Sequence, residues 1–183
     1  MIENLYAPNT LNQAASLLRR GRAVIAPCDT IYGFLGAVPE ADQTIRDIKG
    51  RGETKPFLQL IRSEWIDELT PTVIDDRLRT LWPGPLTLIV ENFQGSTTAF
   101  RVPQDDFLLE LLGKVGRPLY STSVNRSGEA PMHRLGDIID VFTDQVELII
   151  DGGDIAGEPS TILDITVTPW KVLRQGGCRV PTE

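Results

Sequence analysis

Histidine is nearly absent from this chain: His133 is the only one among 183 residues. A zinc site or a Ser-His-Asp triad therefore has almost nothing to be built from. Cysteine is scarce as well, and Cys28 and Cys178 stand too far apart to form a C-x-x-C ligand pair. Two free thiols in a cytoplasmic protein is the simpler reading. No apolar run approaches the ~20 residues needed to span a bilayer. Met1-Ile2-Glu3-Asn4 carries neither a basic nor an apolar region, so no secretory signal is expected. Positive charge is in deficit at a net −7, which argues against broad, sequence-independent nucleic-acid binding but leaves room for a local basic pocket. The dinucleotide fingerprint G-x-G-x-x-G and the Walker phosphate loop are both missing, and no pair of carboxylates suggests glycosidase chemistry.

What is present is enough apolar residue, 41%, for one well-packed domain. Residues 10–20 read as a helix capped by Thr10, with Leu11, Ala14, Ala15, Leu17 and Leu18 as its apolar stripe and Gly21 as its stop. Residues 23–26 read as a buried strand, and 29–33 as a polar loop leading into a glycine-containing segment. A second helix is predicted over 42–49, a strand over 57–61 and helices over 64–69, 74–81, 104–112 and 135–142. Further strands are predicted over 86–90, 97–102, 148–150, 162–165 and 172–173. This irregular alternation, with strands in places adjacent, favours a mixed-sheet α/β domain over a purely doubly wound one.

The most informative stretch is Leu119-Tyr120-Ser121-Thr122-Ser123-Val124-Asn125-Arg126-Ser127-Gly128. A short apolar strand runs into hydroxyl and amide side chains, which pack poorly in a core but bind backbone, sugar and phosphate oxygens well. Similar polar sets recur around the other predicted elements: Asp29, Thr30 and Tyr32 follow the first strand; Lys49, Arg51 and Lys55 flank the second helix and its loop; Thr87 lies within a strand; Ser160 and Thr161 precede a late strand; and Arg174 follows the final one. Arg101 lies between Phe100 and Val102, so its charge either faces solvent or meets an anion. Lys49 and Arg51 have an ordinary explanation too, as cations at a helix C-terminus.

Seven ordered segments together resemble the threonylcarbamoyl-AMP synthase family, the YrdC-like proteins. They are Ala26-Pro27-Cys28-Asp29-Thr30-Ile31-Tyr32-Gly33; Lys49-Gly50-Arg51 with Lys55-Pro56; Trp82-Pro83-Gly84-Pro85-Leu86-Thr87; Phe100-Arg101-Val102-Pro103; the 121–128 stretch; Ser160-Thr161; and Leu173-Arg174-Gln175-Gly176. The resemblance implies one YrdC-like α/β domain over 1–183, with a twisted mixed parallel/antiparallel sheet flanked by helices and a deep basic cavity. It implies a nucleotidyltransferase that makes threonylcarbamoyl-adenylate and pyrophosphate from L-threonine, bicarbonate and ATP, with Mg2+ accompanying the nucleotide. A downstream transferase would carry the product to tRNA, with tRNA itself, or double-stranded RNA, met only indirectly or weakly.

By the same resemblance Lys49 and Arg51 hold the triphosphate and carry the catalytic charge. Thr87, Ser121, Ser123 and Asn125 line the ATP site, and Ser160 and Arg174 close it. Arg101 pairs with the threonine carboxylate, while Cys28, Asp29, Thr30 and Tyr32 shape the amino-acid side. Lys49→Ala and Arg101→Ala are expected to abolish turnover with the fold intact, and the loop 50–55 is expected to close over the cavity. The sequence departs from the family at Cys28, where threonine is usual, at Gly52 after Arg51, where proline is common, and at Val124 in place of alanine. Cys28 keeps open a paralogue that adenylates another acceptor. A YrdC-like RNA-binding module is the reading from a different class.

Overall fold

The computed structural model describes residues 1–52 and 56–181. Lys55, and with it the end of the loop expected to close over the cavity, lies outside the described residues. Ten strands form one sheet: β1 (Ile2–Asn4), β2 (Val24–Ala26), β3 (Gly33–Ala37), β4 (Leu58–Leu60), β5 (Leu86–Glu91), β6 (Thr97–Arg101), β7 (Leu119–Ser123), β8 (Leu148–Asp151), β9 (Thr161–Asp164) and β10 (Lys171–Arg174). Their spatial order is β1-β8-β2-β3-β7-β4-β6-β5-β9-β10. The β1–β8, β2–β8, β4–β6 and β5–β9 pairs are parallel and the rest antiparallel, so the sheet is mixed as expected.

Among the described residues six α-helices accompany it: α1 (Thr10–Arg19), α2 (Asp42–Lys49), α3 (Ile66–Leu69), α4 (Asp76–Arg79), α5 (Asp106–Val115) and α6 (Leu135–Phe142). Helix α2 has the expected bounds and ends on Gly50 in the left-handed region, φ 61°, a conformation that glycine adopts without steric cost. Three expectations fail for identifiable reasons. Thr10 is the first helical residue and not the cap, because its Oγ1 donates to Asn4 O at 2.7 Å and ties α1 to the end of β1. The helix expected over 74–81 contracts to α4, which starts only where the Asp75 side chain accepts from Arg77 N. Residues 33–37 form a fully buried strand that the glycines at 33 and 36 disguise. Gly36 is obligatory there, since a Cβ would stand 2.3 Å from Ala41 Cβ.

The period of two along each strand divides the core. Val24, Ala26, Leu35, Ala37, Leu148 and Ile150 pack under α1 and α5. Ile25, Phe34 and Ile149 face the other way, toward Ile45 and Ile48 of α2 and Ile138 and Phe142 of α6. Phe34 and Phe142 meet edge to face at 5.1 Å. Leu86, Leu88, Val90 and Phe100 form a third cluster with Ile66 of α3 and Leu78 of α4.

These registers also place the site. Leu35 pairs with Ser121, Ser121 with Leu58, Leu58 with Ala99 and Ala99 with Ile89, so all five share one sheet face. At the β2–β3 end that face is apolar and covered by α1 and α5. Along β7 it changes from Leu119 to Ser121 and Ser123, and along β6 from Ala99 to Arg101. The polar part forms the floor of a cavity.

Candidate active site

The cavity encloses about 310 Å3. Its walls come from the β2–β3 loop, from β4 to β7, and from the segment leading into β9. Ten of the thirteen residues singled out from the sequence line it: Cys28, Thr30, Tyr32, Arg51, Thr87, Arg101, Ser121, Ser123, Ser160 and Arg174. Lys49, Asn125 and Asp29 stand behind the lining. Sequence reasoning passed over Gly33, Phe57, Ile89 and Ile162, which also line it. The alternation of side chains along β5 and β9 was the signal that pointed to the last two.

Arg101 is buried and faces an anion supplied by the protein itself. Its Nη2 lies 3.0 Å from Asp29 Oδ1, and its Nη1 donates to Thr30 Oγ1 at 3.1 Å. Asp29 Oδ2 accepts from Gln104 N at 3.0 Å, so the carboxylate is fixed from two sides. Arg101 Nε is buried with no hydrogen-bond partner, leaving one N–H of the guanidinium uncommitted.

Leu88 pairs with Phe100, so Thr87 of β5 neighbours Arg101 of β6, and Thr87 Oγ1 shares a hydrogen bond of 2.8 Å with Ser160 Oγ across the parallel β5–β9 pair. Arg174 Nε donates to Ser160 O at 3.0 Å and its Nη2 to Ser160 Oγ at 3.2 Å. Burial, and after it the charge of Arg101, pulls the Arg174 guanidinium below its ordinary pKa. Two cations thus feel each other across the cavity, an arrangement an anionic ligand relieves.

Arg51 forms the third cationic group. Its guanidinium carbon lies 4.7 Å from the centre of the Phe57 ring, while Nη1 donates to Thr122 Oγ1 at 3.3 Å and Nη2 to Pro56 O at 3.0 Å. Arg51 Nε, like that of Arg101, is buried and without a partner. Burial, followed by the neighbouring Arg46, lowers its pKa. Lys49 is held below its usual range, at about 8, first by burial and then by Arg51.

Cys28 is buried, with its Sγ 3.8 Å from Ala26 O and in a further hydrogen bond with the Ser121 side chain. Burial pushes the thiol up to about 12, so it is not a nucleophile near neutral pH. Tyr32 is spoken for: its hydroxyl donates to Gly153 O at 2.8 Å and accepts from Gly152 N at 3.0 Å. That pins one end of the irregular segment 152–160, which leads into β9 and lines the cavity with Pro159 and Ser160. Gly157 lies so close to the Thr30 backbone that a Cβ would stand 1.9 Å from Thr30 O. His133 takes no part in the cavity; its Nδ1 meets Ile155 O at 3.1 Å on the outer side of this segment.

The chamber therefore combines three guanidiniums, two of them with an unpaired N–H, and several neutral hydroxyls. That equipment suits positioning and charge stabilisation of a polyanion, with no covalent step required. Among the described residues no group of three or more His, Cys, Asp or Glu side chains could hold a metal ion, and no helix is long and apolar enough to cross a membrane.

Residues 16–176 match the family model of Sua5, YciO and YrdC, described as "Telomere recombination". The chain is 32% identical over 181 residues to a threonylcarbamoyl-AMP synthase of Pyrococcus abyssi, covering 90% of this chain and 53% of that protein. It superposes on the crystal structure of P. abyssi Sua5 complexed with L-threonine with a TM-score of 0.88 at 29% identity, over 97% of this chain and 58% of that one. The fold is shared with E. coli YciO at a TM-score of 0.83 and 24% identity, over 96% and 93% of the two chains. The chain thus spans little more than half the length of the archaeal relative it matches.

Proposed function

The chain belongs to the Sua5/YciO/YrdC family, and on that premise we propose that it is an L-threonylcarbamoyladenylate synthase. In this reading the amine of L-threonine combines with bicarbonate to give a carbamate and water. A carbamate oxygen then attacks the α-phosphorus of ATP, the bond to the β-phosphate oxygen breaks, and pyrophosphate leaves. The observation that carries the reading is the row of Arg51, Arg101 and Arg174 along one small cavity with Ser121, Ser123 and Ser160 between them.

Arg51 and the Thr87–Ser160–Arg174 group take the nucleotide. Arg51 meets the charge that develops as pyrophosphate departs. Arg101 receives the threonine carboxylate while Asp29 holds the guanidinium in place. Cys28, Thr30 and Tyr32 shape the amino-acid end. Magnesium arrives on the nucleotide, since the described residues offer it no carboxylate cluster. The product is an activated acyl phosphate, suited to a downstream transferase that delivers it to tRNA, and the synthase itself needs no RNA surface. A cytoplasmic location follows from that role.

The test is pyrophosphate release from ATP and bicarbonate, with each of the twenty amino acids in turn. A signal dependent on L-threonine supports the proposal. Release that is absent with threonine and present with another acceptor refutes it and assigns a paralogue, the reading that Cys28 favours because a thiol is a weaker hydrogen-bonder than a hydroxyl.

A further inference from the structure

Lys49 has no access to the cavity. It is 3% exposed, and its ammonium makes three hydrogen bonds, to Ser123 O at 2.6 Å, Asn125 O at 2.9 Å and Asn125 Oδ1 at 3.0 Å. An ammonium has three protons, so its donors are all committed. Every acceptor belongs to the last residue of β7 or to the turn that follows it. Among the described residues no carboxylate pairs with Lys49, and the charge is offset by carbonyl dipoles and by the Phe34 ring, whose centre lies 5.4 Å from Nζ. A buried cation kept at such a desolvation cost calls for a reason.

The turn supplies one. Ser123 Oγ donates to Asn125 Oδ1 at 2.5 Å, and Asn125 Nδ2 donates to Arg126 O at 2.7 Å and Glu129 O at 2.8 Å. The turn is joined back to the end of α2, because Ser127 N donates to Lys49 O at 2.8 Å and Arg126 Nη1 to the Ile48 carbonyl. The Asn125 amide is thereby fixed in one orientation, its oxygen toward Lys49 and its nitrogen toward the turn's own carbonyls. Ser123, the member of this network that lines the cavity, is held by its backbone carbonyl through Lys49 and by its hydroxyl through Asn125. For Lys49 to reach a ligand's phosphate, it would have to break these hydrogen bonds and leave Ser123 O and Asn125 O without the donor it supplies.

We propose that Lys49 is a positioning residue that fixes the Ser123–Asn125 turn as the wall of the nucleotide end and does not itself grip the phosphates. The inference rests on reading the cavity as a nucleotide site. Lys49 and Asn125 then act as one device, and Arg51 is left as the phosphate-facing cation of this part of the chain.

The test is a double-mutant cycle of Lys49→Met and Asn125→Ala, read as the Kd for a non-hydrolysable ATP analogue and for AMP. Each single change is expected to weaken binding on the order of tenfold or more, with the double variant no weaker than the worse single. AMP is expected to lose as much as the ATP analogue from Lys49→Met. Losses that multiply in the double variant, or a loss confined to the ATP analogue, overturn the proposal. If a variant fails to fold, the structure of the unaltered protein with the ATP analogue decides the same question. Nζ is expected to remain on Ser123 O and Asn125, and a phosphate oxygen within ~3.2 Å of it overturns the inference. An unaltered protein that binds neither nucleotide overturns the nucleotide reading and this inference with it; binding with multiplying losses overturns this inference alone.

Discussion

Replacing Arg101 by methionine keeps most of the side-chain volume and removes the charge. The ion pair it makes with Asp29 is almost completely buried, its two side chains 3% and 11% exposed. Removing one member of such a pair leaves the other as an uncompensated buried charge, at a cost of about 3–5 kcal/mol. Domains of this kind are stable by about 5–15 kcal/mol, so Arg101→Met is expected to fold but with much of its margin gone. With a urea m-value near ~2 kcal/mol/M, a loss of ~4 kcal/mol lowers the unfolding midpoint by about 2 M. The sequence alone suggested that an Arg101 substitution would silence the enzyme with the fold intact; the buried partner adds a stability cost to any functional loss. Pairing Arg101→Met with Asp29→Asn removes both charges. The double variant is expected to recover at least half the deficit, since the amide oxygen introduced at position 29 still accepts from Gln104 N. Urea unfolding at two salt concentrations provides the assay, and a pair this buried is expected to be nearly indifferent to salt. A midpoint shift below ~0.5 M for Arg101→Met, or additive losses in the double variant, would refute the reasoning.

Gly157→Ala drives a methyl into Thr30 O and is expected to lift the 152–160 segment, costing about 2–3 kcal/mol and reducing ligand affinity in the same variant. Thermal melting and calorimetric titration would show both, and an unchanged affinity would separate the segment from the site. Gly36→Ala meets Ala41 Cβ at 2.3 Å and Ile45 Cδ1 at 2.8 Å; a fall in Tm of about 5 °C or more is expected, with no change if α2 can shift freely. The Cys28 thiol keeps its proton up to about pH 12 in the folded chain, against 9 when exposed. Between those values the unfolded state binds fewer protons, so stability falls as pH rises from 9 to 12, and Cys28→Ala should flatten that slope in a pH series of urea melts. At about pH 8, below the ordinary thiol range, a thiol reagent is expected to label the partly exposed Cys178 and spare Cys28.

The sequence was most legible where one rule acted alone. Helix α2 was read with its true ends because amphipathic spacing, Lys49 and Gly50 agreed on them. Strand β3 escaped because Gly33 and Gly36 lower strand propensity locally, while what selects them is distant: room beside Ser121 and contact with Ala41. Strand β1 escaped because three residues with an exposed, partly polar face carry too little period to register. At the site, hydroxyl and cationic residue types announced themselves, but their pairings did not. Nothing near Arg101 in sequence reveals that Asp29 meets it, and nothing near Lys49 reveals that its protons go to Ser123 and Asn125. Such partnerships depend on strand order, which local pattern does not encode.

That strand order has a consequence for how the chain comes to be functional. Thr87 and Ser160 stand 73 positions apart, and Arg174 joins them from β10. The cavity therefore cannot be complete in a nascent chain until residue 174 has left the ribosome. Pairings of such long reach close slowly, because loop entropy must be surrendered before any contact rewards it. A ligand that touches all of these residues recognises only the finished domain, so its presence selects against every partly folded form at once.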